Sequence, residues 1–389
     1  MLRKLLRGVA LTATVAGIGY LAIARRCVRV FERRGPDDVL SFSKGAQDPD
    51  VTILKPLCGD EPQLYENLCS FCDQDYGDFR VVFGVADATD AARVIAERVR
   101  KDFPSKDIVI SVGADPKAAN PKVGNLLQMS AHASGDIFVI ADSDMRVNRN
   151  YLRAIVAPLA DQDTGAVTCL YRASALDGFA STVGAMYVNT YFAPSVLVAS
   201  QLQQLAFALG ATIAVRRDVL EAIGGFDALA AHLADDYELG RLTRAAGYDV
   251  RLSRYVVENV VHEPTLTALI EHELRWARTI AAVRPLGYAL SGVTFPLMWA
   301  VIYRLLGGKR KRSRRLAIAT FALRIALHKA AYEALGAEPL DPLWLIPLRE
   351  VLAFGIWLGS FFGRSVTWRD QRLEQDQRGQ LKPRESAQR

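Results

Sequence analysis

Apolar positions fall into three regimes along the 389 residues. From Leu5 to Ala24 they run nearly unbroken, interrupted by one arginine, for a length that can cross the roughly 30 Å hydrocarbon core of a bilayer. Between Pro49 and Pro285 they come in short runs. "VTILKPL", "FRVVFGV", "DIVISVG" and "DIFVIAD" read as buried strands, and Asp90–Lys101 and Val123–Ala133 have helical spacing. Beyond Leu286 long apolar runs return at Leu286–Leu306 and Leu343–Phe362, while Leu316–Leu335 carries Arg324, His328 and Lys329 and is marginal for a membrane.

The alternation in the middle predicts an α/β domain with a mostly parallel sheet covered by helices. In such sheets ligands bind beyond the carboxyl ends of the strands. The expected organisation is a membrane anchor over 1–26, the α/β domain over 49–285, membrane helices over 286–362 and a polar tail over 363–389. Apolar Phe179–Ser200 breaks the strand–helix rhythm; a buried helix pair is one reading, and an element lying in the membrane interface is the favoured one.

Composition adds a membrane to this picture. Mean hydropathy is +0.09 although 23% of residues are charged, so apolar residues are concentrated in segments. The net charge of +6 is clustered in Arg25, Arg26, Arg29, Arg33 and Arg34 and in "KRKRSRR", Lys309–Arg315. Both clusters adjoin apolar segments, as at an anionic membrane surface, and no interleaved aromatics point to nucleic acid. Ala22-Ile23-Ala24 resembles a signal-peptidase site, but the arginine pair after it disfavours export and an uncleaved anchor is expected. More basic residues follow the anchor than precede it, which puts the α/β domain in the cytoplasm. If Leu286–Leu306 crossed completely, the basic run would emerge on the wrong side. Pro296 permits a hairpin or re-entrant path instead, and the number of crossings stays open. Five cysteines without framework spacing read as reduced thiols in a cytosolic compartment, and the helical pair Cys69 and Cys72 as core-facing thiols rather than zinc ligands.

Acidic residues stand where strands end: Asp87 after "FGVAD", Asp142 and Asp144 after "FVIAD". The pair is either a polar turn or a holder for a divalent cation that shares its coordination with phosphate oxygens. Neither a P-loop nor a dinucleotide fingerprint competes for the site. Asp235 and Asp236 open a helical pattern, where helix capping is the plain alternative. Arg275 and Trp276, with His272 one turn earlier, form either a solvated helix face or a phosphate-directed cation beside an aromatic wall.

The ordered set Asp87, "DSD", "LADDY" and "HELRW" resembles the D, D-x-D, D, (Q/R)-x-x-R-W signature of processive-type inverting glycosyltransferases with a GT-A fold. The wider text, "ILKPLCGDEPQLYENLCSFCDQDY", "NPKVGNL", "AVTCLY" and "PLWLIPLREVLAFGIWLGSFFG", resembles the ceramide glucosyltransferase family over nearly the whole chain, nearest to its bacterial hopanoid-biosynthesis members. That resemblance implies a GT-A domain at the bacterial inner membrane, a UDP-sugar donor, Mg²⁺ or Mn²⁺, and inverting transfer of N-acetylglucosamine to bacteriohopanetetrol. A ceramide glucosyltransferase is the alternative. It implies that Asp87 contacts uridine, Asp142 and Asp144 hold the metal, and Lys122 and Asn125 touch the nucleotide. Asp236 would be the general base, with Arg275 and Trp276 closing the pyrophosphate and acceptor side. The second acid of "DDY" is the base in the family; the residues alone leave Asp235 and Asp236 unseparated. His272 departs from the Gln or Arg of the motif. "GATIAVRR", Gly210–Arg217, resembles the family's acceptor floor and reads equally as an ordinary buried strand. A polymerising synthase would need several more spanning helices, and a non-catalytic scaffold would have no reason to keep the acids.

Overall fold

The computed structural model describes residues 1–33, 48–338, 341–363, 365–368, 371–374 and 380–381. Arg34 of the first basic cluster and most of the polar tail lie outside the described residues. The chain divides into two units, each interrupted in sequence.

One unit comprises Gly35–Tyr171, Gln203–Val260 and Gly379–Arg389. It is built on an eight-stranded sheet of β1 (Val51–Leu57), β2 (Phe79–Val85), β3 (Asp107–Val112), β4 (Ile137–Ala141), β5 (Met145–Arg146), β6 (Thr164–Ala175), β7 (Thr212–Arg216) and β8 (Asp249–Val261), in the order β3-β2-β1-β4-β7-β6-β8-β5. All four strands read from the sequence form, and they make the parallel half: β1 pairs β2 from Val51↔Phe79 to Leu57↔Val85 and pairs β4 from Val51↔Ile137. The expectation of a mostly parallel sheet is corrected beyond β4. β7 runs antiparallel to β4 and to β6, and β5 antiparallel to β8. An unbroken apolar run reports burial on both faces, and antiparallel β7 ("TIAVR") has that property as fully as its parallel neighbours.

Neighbouring residues on β1 feed opposite faces. Ile53 packs with Phe71, Phe83, Val139 and Tyr151, while Leu54 packs with Val82, Leu126, Phe138 and Val215. Each buried aliphatic side chain contributes about 1.5–3 kcal/mol, so two such layers fix the strand ends that carry the acids. The flanking helices start where their caps dictate. Asp90 accepts from Ala92 N to open Ala91–Asp102, and Asn120 accepts from Lys122 N and Val123 N, with proline in the first turn, to open Pro121–Ser130.

The other unit comprises Met1–Arg34, Arg172–Leu202 and Val261–Arg378. Its helix Leu2–Arg33 is long and apolar enough to cross a membrane. Pro285–Thr294 and Pro296–Leu305 pass that test only together and are bent by 72° at the break. Pro296 has no amide to continue a helix. The backbone groups freed there find side chains: Glu350 Oε1 accepts from Leu297 N (2.7 Å), Arg324 Nη2 donates to Thr294 O (2.5 Å), and the two are paired at 3.2 Å. Phe179–Ser200 becomes Gly178–Tyr187, a π-helical turn over Val188–Phe192 and Ala193–Leu202, with most side chains buried in the unit. The interfacial expectation therefore gives way to the buried one. Pro194 accounts for the wide turn, since it cannot donate to the residue four earlier, and Ala193 N reaches back to Val188 O. Within the polar tail, Ser365–Trp368 pairs antiparallel with Gln371–Glu374.

Candidate active site

Asp142 and Asp144 leave the end of β4 as expected, and the structure brings them together with Lys122, Asp235 and Asp236 in the sheet-bearing unit. Lys122 Nζ lies 2.7 Å from Asp142 Oδ1 and 3.5 Å from Asp235 Oδ2. Asn259 Nδ2 donates to Asp144 Oδ2 at 2.7 Å, and Asn120 Nδ2 reaches Asp235 Oδ1 at 3.4 Å. Asp236 Oδ2 accepts from Gly210 N at 2.8 Å, and its Oδ1 from Tyr237 N at 2.7 Å. Gly210 is where the two acidic pairs approach: a Cβ there would stand 3.2 Å from Asp236 Oδ2 and 3.5 Å from Asp142 Oδ2. Only glycine leaves the space between them open.

The electrostatics follow from burial and crowding. Burial, then the charge of Asp142, pushes the Asp144 carboxyl up to about 7. Burial, then Asp235, raises Asp236 to about 6, against the pull of Lys122. Burial opposes the charge on Lys122, but Asp142, Asp235 and Asp236 outweigh it and hold the ammonium above its ordinary range. Under the site, Lys55 of β1 is fully buried, donates to Asp142 O at 2.7 Å and sits 3.6 Å over the Phe71 ring. Burial lowers its pKa to about 7, although Asp144 and Asp142 favour the charged form.

The other predicted residues fall as follows. Asp87 is exposed after β2, its Oδ1 taking both the amide and the hydroxyl of Thr89 at 2.7 Å, which holds its pKa below the usual carboxylate range. Asn125 is 4% exposed and donates to Gly84 O at 2.9 Å, tying the helix Pro121–Ser130 to β2. Its Oδ1, also buried, has no hydrogen-bond partner among the described residues. Arg275 and Trp276 belong to the other unit, on the helix Leu266–Val283. There the rings of Trp276 and His272 stand 4.3 Å apart, and His272 Nδ1 pairs with Glu263 Oε1 at 2.7 Å. "GATIAVRR" is the turn at Gly210 and Ala211, β7 and the first residue of the helix Arg217–Ala222. The five cysteines form no disulfide; Cys72 is buried and Cys69 half-buried on the helix Leu64–Cys72.

Sequence reasoning missed Lys55 and Asn259. A lysine inside the buried run "ILKPL" was the available signal for the first; the second lies in β8 with nothing in its neighbours to mark it.

Chemically, the site can hold a cation and accept a proton. Asp142 and Asp144 offer hard oxygen donors, and the raised pKa of Asp144 reflects first its burial and then the like charge of Asp142. Both properties fit Mg²⁺ or Mn²⁺ taking its remaining ligands from a diphosphate. Among the described residues no group of three or more His, Cys, Asp or Glu side chains makes a complete cage.

The sequence model of glycosyl transferase family 21 matches residues 9–381. Ceramide glucosyltransferase 3 of Caenorhabditis elegans is 22% identical over 238 residues, 61% of this chain and 52% of that protein. Beta-monoglucosyldiacylglycerol synthase of Synechocystis is 28% identical over 221 residues, 56% of this chain and 44% of the relative. The chain thus spans about half the length of the curated relatives it matches. Among solved structures, a mannosyltransferase from Pyrobaculum calidifontis in complex with GDP-Man and Mn²⁺ superposes with a TM-score of 0.56 at 18% identity, covering 92% of this chain and 99% of the other. The likeness is one of fold, and the fold is the GT-A-like mixed α/β sheet.

Proposed function

The chain belongs to glycosyl transferase family 21, and from that membership we propose that it is a membrane-bound inverting glycosyltransferase that moves a sugar from a UDP-sugar to a lipid hydroxyl. N-acetylglucosamine and bacteriohopanetetrol are the donor sugar and acceptor we propose, on the strength of the sequence resemblance. A ceramide glucosyltransferase is the second reading, favoured by the ceramide enzymes among its relatives.

One observation carries the reading. Two acidic pairs with different partners face each other across Gly210: Asp142 with Asp144 at the end of β4, and Asp235 with Asp236 at a helix start. Of the second pair, Asp235 is occupied by Lys122 and Asn120, whereas Asp236, among the described residues, accepts from the backbone amides of Gly210 and Tyr237. That difference supports Asp236 as the base. A lipid hydroxyl is a poor nucleophile at neutral pH, so a carboxylate within hydrogen-bond reach must take its proton as the bond to C1 forms. In the same step the bond from C1 to the phosphate oxygen breaks and UDP departs with its electron pair. Displacement from the face opposite the leaving group inverts C1. A divalent cation on Asp142 and Asp144 would supply positive charge where the diphosphate gains negative charge. Asp87 is assigned to the uridine, Lys122 to the diphosphate, and Asn125 to the nucleotide side. Arg275 and Trp276 take the leaving-group and acceptor contacts that the family pattern gives them.

The test compares Asp236→Asn with Asp235→Asn. Asp236→Asn should slow transfer by roughly 10² to 10⁴-fold, as for a lost general base, with UDP affinity nearly unchanged. Asp235→Asn should lose far less. A dead Asp235→Asn beside an active Asp236→Asn would assign the base to the other residue.

A further inference from the structure

Lys122 reaches its two carboxylates from a fixed helix start. Pro121 and the Asn120 cap set the first turn of its helix, and Asn120 also contacts Asp235, so the ammonium is delivered between Asp142 and Asp235 with only 14% of its side chain exposed. The partner of Asp144 is different in kind. Asn259 is neutral and competes for no charge. Of the two carboxylates suited to a divalent cation, then, one already carries a cation 2.7 Å away. A dication arriving on the same carboxylate meets that ammonium as a like charge, at a separation where a protein interior screens weakly.

We propose that Lys122 is a built-in counter-ion that makes cation binding depend on nucleotide, an inference that rests on the donor-site reading above. Without a diphosphate, the ammonium holds Asp142 and weakens cation binding. A diphosphate offers the ammonium a second anionic partner, and Asp142 turns to the cation. Cation and nucleotide then enter together, and by linkage each tightens the other by the same factor.

The experiment measures Mn²⁺ binding to the full-length protein in detergent, from the electron paramagnetic resonance signal of free Mn²⁺, with and without UDP. In the wild type UDP should tighten Mn²⁺ binding by about tenfold or more. Lys122→Met should bind Mn²⁺ without nucleotide about tenfold more tightly than wild type, and the effect of UDP should shrink toward none. Lys122→Gln, which keeps a hydrogen-bond donor for Asp142, should behave likewise and carries the test if the methionine variant does not fold. Lys122→Arg should keep the wild-type dependence on UDP. Neutral variants with wild-type Mn²⁺ affinity and wild-type coupling would overturn the role of the lysine while leaving the donor site standing. Absence of Mn²⁺ binding to the wild type even with saturating UDP would remove the donor-site reading, and this inference with it.

Discussion

Asp236 is the residue on which pH should act. Burial and then Asp235 raise its carboxyl to about 6, and a general base works only when unprotonated. The sign follows directly: kcat/KM should rise as pH passes upward through about 6 and fall below it. Asp235→Asn removes the like charge, so the acidic limb should move to lower pH, and a pH profile of both proteins checks the shift. Gly210→Ala tests the spacing between the acidic pairs. Its methyl group would press on Asp236 Oδ2 at 3.2 Å. A displacement of tenths of an ångström at a base should lower kcat by about tenfold, with a melting temperature close to wild type; unchanged kcat would show that the gap is not critical. At this scale the strand-end acids were legible because a carboxylate after a buried run has few plain explanations. Lys55 was legible in principle, as a charge inside such a run. Asn259 and the buried orientation of Asn125 were not, because both depend on which elements pack together.

Elements were read well where burial alone defines them and less well where direction or continuity matters. The four strands β1 to β4 and the two helices between them sit within a few residues of their predicted positions. The antiparallel sense of β7 was invisible in an apolar run that looks the same in either direction. Pro296 marked a break, but the pair that satisfies it, Arg324 with Glu350, comes from helices that follow it in sequence. Arg324 and Glu350 are 2% and 0% exposed. Glu350→Ala would strand the Leu297 amide and leave the Arg324 charge uncompensated, at a cost of about 3–5 kcal/mol. Thermal unfolding in detergent should show that loss, and a wild-type melting temperature would contradict the clamp. Pro194 likewise turned an apolar stretch into a helix with a π-turn, which periodicity could not reveal.

For the whole molecule, a helix among the described residues that is long and apolar enough to cross a membrane, with a basic flank at its end, is the ground for proposing a catalytic domain on the cytoplasmic side. Protease added outside intact spheroplasts should leave 49–285 uncut, and digestion there would reverse the orientation. Excess EDTA should abolish transfer, and Mg²⁺ or Mn²⁺ should restore it; full turnover under chelation would exclude the metal role of Asp142 and Asp144. The family was legible in the ordered motifs. The lipid was not, since recognition of a ring system is spread over surfaces that no short motif records. The most direct measurement of the central claim is transfer of labelled sugar from UDP-N-acetylglucosamine or UDP-glucose by the full chain in bilayers containing bacteriohopanetetrol, ceramide or diacylglycerol, with the anomeric configuration of the product determined by NMR. Label moving into the lipid phase as a β-linked glycoside of one of these acceptors is the predicted result. An α-linked product, or donor cleavage that leaves all label in water as free sugar, would contradict an inverting lipid glycosyltransferase.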